Sequence, residues 1–289
     1  MSQGSGNPGA AAERYVDLHM HSTASDGAVP PAEVVAAAQR AGLSAIALTD
    51  HDTVDGVAAA QEAGASLGVR VIAGVELSSV DAGVEIHVLG LHLAQPEHLA
   101  TALGELRESR RNRARLIVER LNALGVPVTL DAVYSAAGDG AVGRPHIAKA
   151  LVAGGWARDF RDAFDRWLGN GKPACIEKRT VTFAEAARLI HDAGGLVVYA
   201  HPGGDASRAE LEELASQGLD AVEVRHPSHT VDEIARLERL ADELGLLPSG
   251  GSDWHGSPEA HRALGSMKVS AEWLARQDER VRQRAEQPA

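Results

Sequence analysis

Short apolar runs in this chain end, one after another, on histidine, aspartate or glutamate, with helical patterns between them. The pattern predicts a strand over Tyr15–His19 and a helix over Pro30–Ala41, with proline in its first turn and Gly42 after its end. It predicts a strand over Ser44–Thr49 closed by Asp50-His51-Asp52, and a helix over Gly56–Leu67 stopped by Gly68. Strands over Val69–Val75 and Val84–Leu91 then deliver Glu76 and carry His87. Strand alternating with helix implies parallel strands with helices outside, an α/β class whose sites gather at the C-terminal ends of the strands. The polar residues fall at those ends.

The rhythm breaks at Pro96. Helical patterns follow over Glu97–Leu124, Leu130–Ala137, a stretch opened by Gly143-Arg144-Pro145-His146 and running through Val152, and Asp159–Leu168. Residues 96–174 therefore read as a helical insertion subdomain. Alternation resumes with a helix over Thr182–Ala193 and a strand over Leu196–Ala200 ending at His201-Pro202. A helix over Arg208–Gln217 and a strand over Ala221–Val224 lead to Arg225-His226-Pro227-Ser228-His229. A helix over Val231–Leu244 and the run Leu246–Gly250 lead to Gly251-Ser252-Asp253-Trp254-His255, and a terminal helix follows Met267. Residues 13–95 and 175–289 are thus expected to form one domain around the insertion. Residues 1–12, rich in Gly, Ser and Ala without a basic stretch and apolar core, read as a disordered tail rather than a signal peptide.

A strand sends alternate side chains to one face, so His19 and His21 point the same way and make a ready pair of ligands for one ion. Asp26, in the loop that follows, can reach back to a neighbouring ion. His51, Glu76, His87, His201, Asp253 and His255 recur at later strand ends. Each alone reads as a surface or core histidine, or as an acid capping a turn. Their shared position points to a multinuclear metal site. Mixed imidazole and carboxylate ligands suit Mn²⁺, Fe²⁺ or Zn²⁺, and so many exceed the needs of one ion, so two to three divalent ions are expected. Asp17, Asp50 and Asp52 are expected to orient ligand imidazoles or to cap turns.

The formal net charge of -12 argues against a broad basic surface for duplex DNA or an anionic membrane. It leaves a phosphorylated substrate open, because bound cations reverse the local sign. One cysteine, Cys175, allows no disulfide within the chain and reads as a packing residue, which suits a cytoplasmic location. No apolar run is long enough to cross a bilayer. No Gly-x-Ser-x-Gly nucleophile elbow is present, which disfavours a serine hydrolase.

Asp17-Leu18-His19-Met20-His21, Thr49-Asp50-His51-Asp52, Gly74-Val75-Glu76-Leu77-Ser78, His87-Val88-Leu89-Gly90, Ala200-His201-Pro202 and Ser252-Asp253-Trp254-His255 resemble, in order, the motifs of PHP (polymerase and histidinol phosphatase) domains. The resemblance implies a distorted (β/α)7 barrel with a trinuclear metal centre. By that likeness His19, His21, Glu76 and Asp253 hold a first ion, and Glu76 bridges to a second held by His87 and His201. Asp26, His51 and His255 hold the third. Some PHP members carry His where Asp26 stands, a departure that bears on metal preference.

Within the family, the insertion and Gly143-Arg144-Pro145-His146-Ile147-Ala148 look most like the branch that acts on nucleotides, above all 3′,5′-nucleoside bisphosphate phosphatases. The expected chemistry is metal-assisted hydrolysis of a phosphomonoester, with Asp253, His201 and His229 as the catalytic set. Arg144 offers a rigid, permanently charged fork to a phosphate. His146, His229 and Lys172 are further expected substrate contacts. The expected partner is a small phosphorylated molecule, a nucleotide or short oligonucleotide. Rival readings are a 5′→3′ exoribonuclease on short RNA, a phosphatase of a small metabolite, and a non-catalytic metal-binding module. The arginines between Arg107 and Arg120, interleaved with Glu105, Glu108 and Glu119, read as a solvated helix face.

Overall fold

Aliphatic runs such as Ala-Ile-Ala-Leu and Leu-Val-Val-Tyr are buried at all four positions, which requires strands covered on both faces. The computed structural model describes residues 14–138, 140–177, 181–204, 206–256 and 262–286; the expected tail at 1–12 lies outside them. The strands are β1 (Tyr15–Asp17), β2 (Ala45–Leu48), β3 (Arg70–Asp81), β4 (Val84–Leu91), β5 (Val181–Thr182), β6 (Leu196–Tyr199), β7 (Ala221–Arg225), β8 (Leu247–Gly250) and β9 (Val269–Ser270). They follow the order β8-β7-β6-β4-β3-β2-β1-β9, with β5 beside β3. The sheet curls until its ends meet. Leu18 N–H donates to Gly250 O at 3.1 Å, and Met20 bridges Trp254. The α/β barrel expected from the sequence is the observed architecture.

One expectation fails. β1, β2 and β3 are parallel, as are β6, β7 and β8, but β4 runs antiparallel to both β3 and β6. The connection explains it. Only Ala82 and Gly83 separate β3 from β4, with φ of 44° and 83°, a tight hairpin turn that leaves no chain for a crossover helix. His87 therefore reaches the barrel rim from the first half of an antiparallel strand, opposite Ser78. β3 overshoots the rim, which puts Glu76 in mid-strand, bridged to His51.

Helices α1 (Pro31–Arg40) and α2 (Val57–Leu67) cover the first strands. Between β4 and β5 come α3 (Ala100–Ala123), α4 (Leu130–Ala137), α5 (Arg144–Ala153) and α6 (Phe160–Ala163), the last running into a π-helical turn over 164–168. Ile117, Leu121, Val133, Ile147, Leu151 and Leu168 give these helices an apolar cluster of their own. α3 belongs to two clusters, since Leu103 and Leu106 pack in the barrel with Leu77, Val88 and Phe183. α7 (Phe183–Asp192), α8 (Arg208–Ser216), α9 (Val231–Leu244) and α10 (Ala271–Glu286) complete the outer layer. Capping boxes Thr182/Glu185, Ser207/Glu210 and Thr230/Glu233 set three of their starts. Among the described residues, no helix is long and apolar enough to cross a membrane.

At the far end of the barrel, Asp220 ties α7, β6 and α10 together. It accepts from Val197 N–H at 2.9 Å and pairs with His191 at 2.8 Å and with Arg284. Burial pushes its carboxyl up, but His191, Arg284 and the Val197 N–H outweigh that and hold it below its ordinary value. A carboxyl depressed in the folded state stabilises above its unfolded pKa of about 3.9 and loses that stabilisation as pH falls through the folded value. Asp220→Asn is expected to cost roughly 2 kcal/mol at pH 7. Thermal unfolding at a series of pH values should show the gap to wild type narrowing below about pH 4.

Candidate metal centre

β1 ends at Asp17, and the chain continues extended through His19 and His21, pinned on both sides. Thr49 Oγ1 accepts from Met20 N–H at 3.1 Å, His21 N–H donates to Trp254 O at 2.8 Å, and Asp253 N–H donates to His19 O at 2.9 Å. The segment carrying Asp253 passes so close that a Cβ on Gly251 would lie 2.4 Å from His19 N. Only glycine lets these two ligand-bearing segments touch.

Glu76 stands at the centre, buried. Its Oε2 lies 3.3 Å from His19 Nε2, 3.2 Å from His21 Nε2 and 3.2 Å from His51 Nδ1. Its Oε1 lies 2.7 Å from His87 Nδ1 and 3.3 Å from His201 Nε2. Asp253 Oδ1 is 3.2 Å from His21 Nε2, 3.5 Å from His19 Nε2 and 3.6 Å from His255 Nδ1. Asp26 is 3.3 Å from His255 Nε2 and 3.9 Å from His51 Nε2. All nine residues singled out in the sequence thus share one pocket.

The chemistry of this donor set fits divalent cations. Both ring nitrogens of His21, Nδ1 of His51 and of His87, and Nε2 of His226 are buried without a hydrogen-bond partner. Such orphans cost about 1–3 kcal/mol each unless something else satisfies them. Separations of 3.2–3.5 Å are those of two atoms each about 2.1 Å from a shared ion. Among the described residues four groups of donors could hold ions: His19–His21–Glu76, His51–Glu76–His87, His21–Asp26–His51–His255 and His19–Glu223–His226. Burial lowers His21, but Asp253 and Glu76 outweigh it and raise the imidazole to about 10, the mark of a pocket with surplus negative charge. Burial pushes His51 down to about 3, so it is a neutral imidazole with a lone pair to donate. His201, Asp253 and Asp52 take φ of 33°, 50° and 51°, local strain of about 1–3 kcal/mol each, concentrated at this rim.

Two members of the pocket escape the sequence reading. Glu223, buried on β7, accepts from His201 N–H at 2.7 Å and meets His19 Nδ1 at 3.0 Å, turning His19 Nε2 toward the centre. Its signal is an acid in an otherwise aliphatic strand, Ala-Val-Glu-Val, where a buried carboxylate must have a partner. His226 Nε2 lies 3.5 Å from Asp253 Oδ2, which Arg262 also contacts. Asp17 and Asp50 hold backbone and hydroxyls rather than rings. Asp17 accepts from Ser252 and Gly265 N–H, and Asp50 from Ser22 N–H, Ser22 Oγ and Ser25 Oγ.

The expected substrate contacts divide. Arg144 shares with His87, His201, Tyr199 and Asn170 a cleft of about 820 Å³, its guanidinium held by Asn170 Oδ1 at 3.0 Å and lying against Phe164. His146 is buried; its Nδ1 accepts from Gly143 N–H at 3.0 Å, and burial pushes it down to about 4, so it is neutral with its proton on Nε2. His229 requires a correction. Its Nδ1 donates to Val224 O at 3.0 Å and its Nε2 accepts from Gly203 N–H at 3.1 Å, so both nitrogens brace backbone and neither offers a proton to the cleft. Lys172 is exposed and is not among the residues lining this cleft, which Asn170 is.

Comparison with known proteins agrees with this geometry. The PHP domain profile matches residues 17–169. A 3′,5′-nucleoside bisphosphate phosphatase of Chromobacterium violaceum is 36% identical over 258 residues, 86% of this chain and 90% of its own. A 5′-3′ exoribonuclease of Escherichia coli is 37% identical over 247 residues, 83% of this chain and 84% of its own. A crystal structure from Bifidobacterium adolescentis, described as a metal-dependent phosphoesterase, superposes with a TM-score of 0.85 at 32% identity, covering 92% of this chain and 96% of that one.

Gly251→Ala should force His19 and Asp253 apart, destabilising the fold by about 1–3 kcal/mol and lowering the metal retained per folded chain. Elemental analysis after dialysis against Mn²⁺, beside a melting curve, checks both.

Proposed function

The chain belongs to the PHP-domain family, and from that membership and this pocket we propose that it hydrolyses phosphomonoesters of nucleotides with the help of bound divalent metal ions. The favoured substrate is a nucleoside 3′,5′-bisphosphate, which loses its 3′-phosphate to give a nucleoside 5′-monophosphate and inorganic phosphate. The observation that carries this reading is the cleft. One wall is the His87–His201 edge of the metal pocket and another carries Arg144, so two phosphates of one small molecule find two cationic anchors. Its volume of about 820 Å³ lies within the range of small-molecule sites. The name of the Chromobacterium relative points the same way.

In this proposal His19, His21, Glu76 and Asp253 hold one ion, Glu76, His87 and His201 a second, and Asp26, His51 and His255 a third. Mn²⁺, Fe²⁺ and Zn²⁺ all accept such donors. When bound, the ions supply acidified water and neutralise the non-bridging oxygens of the phosphate. The chain supplies the rest. Asn170 and Leu168 O aim the Arg144 guanidinium at the phosphate that does not react. His146 is a neutral imidazole that braces Gly143 N–H at the start of α5, next to Arg144 in the chain. Glu223 fixes the ring of His19 and the backbone N–H of His201, and Arg262 and His226 fix Asp253. The helices between β4 and β5 act as a lid over the cleft. Anchoring the second phosphate converts loose binding into a set orientation for attack on the first.

A 5′→3′ exoribonuclease is the second reading, favoured by the name of the E. coli relative. The cleft wall bears against it. Asp81, Glu85, Glu210 and Glu213 line the same space and repel an extended polyanion.

Protein loaded with Mn²⁺ should release phosphate from 3′-phosphoadenosine 5′-phosphate, leave AMP, and act weakly on AMP itself and on short 5′-phosphorylated RNA. Stepwise release of mononucleotides from the RNA, with the bisphosphate untouched, would transfer the assignment to the exoribonuclease reading. Asp253→Ala and His201→Ala should each lower kcat by more than about a hundredfold, beyond the loss usual for an outer partner of a ligand, with circular dichroism unchanged.

A further inference from the structure

By their spacing among acids, the arginines of α3 are expected to form a solvated face. That description suits Arg107, paired with Asp55 and 36% exposed, and Arg115, paired with Glu119 and 47% exposed. Arg110 departs from it. Its side chain is 10% exposed, and its Nε donates to Asp52, whose side chain is fully buried. Asp52 directly follows His51 and is knitted into β3 around Glu76: its N–H donates to Glu76 O at 2.9 Å, and Glu76 N–H donates to Asp50 O at 3.1 Å. A helix of the lid thus grips the loop that delivers His51.

The lid touches a second loop of the same group. Ala141 N–H donates to Ala24 O at 3.1 Å, two residues before Asp26. Gly140 packs so closely there that a Cβ would lie 2.6 Å from both Thr23 O and Ser25 O. Asp26 and His51, the two residues whose loops the lid holds, belong with His21 and His255 to one donor group. His19 and His21, by contrast, are braced by barrel residues, Glu223, Asp253 and the β8 extension.

We propose that the lid is part of the metal centre's scaffold, with Arg110 and Gly140 as positioning residues that set the Asp26–His51–His255 group and make the cation there depend on the lid more than the cation at His19 and His21 does. The inference rests on the divalent-cation part of the proposed function and not on its choice of substrate. A lid set in this way joins substrate entry to one ion's affinity.

The test is Mn²⁺ binding, by equilibrium dialysis and calorimetry, in four full-length proteins: wild type, Arg110→Ala, Gly140→Ala and Arg107→Ala. Arg110→Ala and Gly140→Ala should each weaken one ion tenfold or more and leave at least one other within twofold. Arg107→Ala, on the same helix but paired at the surface, should match wild type. Hydrogen exchange of the metal-free proteins should show faster exchange at residues 20–28 in Gly140→Ala and at 49–55 in Arg110→Ala. If removal of the buried guanidinium prevents folding, Gly140→Ala and Arg110→Lys carry the test, the lysine keeping charge without the planar fork. Equal weakening of every ion, or no weakening in a folded variant, overturns the proposal. Absence of turnover on bisphosphate by wild type, with one ion still lost in the variants, overturns the substrate assignment and leaves this inference standing.

Discussion

Five imidazoles converge on the Glu76 carboxylate, and most of the rim is arranged to make that possible. A carboxylate with about four lone-pair sites cannot satisfy five rings by hydrogen bonding alone. Burial removes water as an alternative. The pocket is therefore frustrated as a protein core and resolved as a cation cage. The same demand accounts for the backbone at its edges: left-handed conformations at His201, Asp253 and Asp52, and a glycine at 251 where two ligand-bearing segments meet. The strain is held in place by the bonds of Asp17, Asp50 and Glu223 to neighbouring loops.

Reversal of a single strand shapes the site as much as any side chain. An all-parallel barrel gathers functional groups from strand ends. Here β3 runs past the rim and β4 returns beside it, so Glu76 and His87 enter from within strands rather than from loops. A group on a strand is placed more firmly than one on a loop. The carboxylate with the most neighbours sits on the longest strand, with β2 and β4 bonded on its two sides.

The metal pocket is legible in the sequence because its members are unusual residues at regular places. His19 and His21 share a strand face, and His51, Glu76, His201 and Asp253 each close an apolar run. Those signals are local. Glu223 is not legible in the same way, because alternation says that it faces one side of β7 and not which side is the barrel interior. Arg110 is hidden by composition: six arginines among acids average to a solvated face, and only the packing of α3 against the Asp52 loop singles one out. His229 misleads for the opposite reason. A histidine near a cleft looks chemical until both nitrogens are seen bracing Val224 and Gly203. The antiparallel β4 is legible after the fact in Ala82-Gly83, a link too short for a crossover.

α3 threads two apolar clusters, Leu103 and Leu106 in one and Ile117 and Leu121 in the other. At about 1.5 Å per residue its 24 residues form a rod of about 36 Å without a break. Such a rod has no hinge at the boundary, so the helical segment is not a detachable cassette. Cutting it out of the chain would also strip the barrel of two core leucines, and unravelling either half of the rod would expose the other. The two parts share one fate on heating, and a lineage that keeps the barrel cannot exchange its cover without rebuilding part of the barrel's own interior.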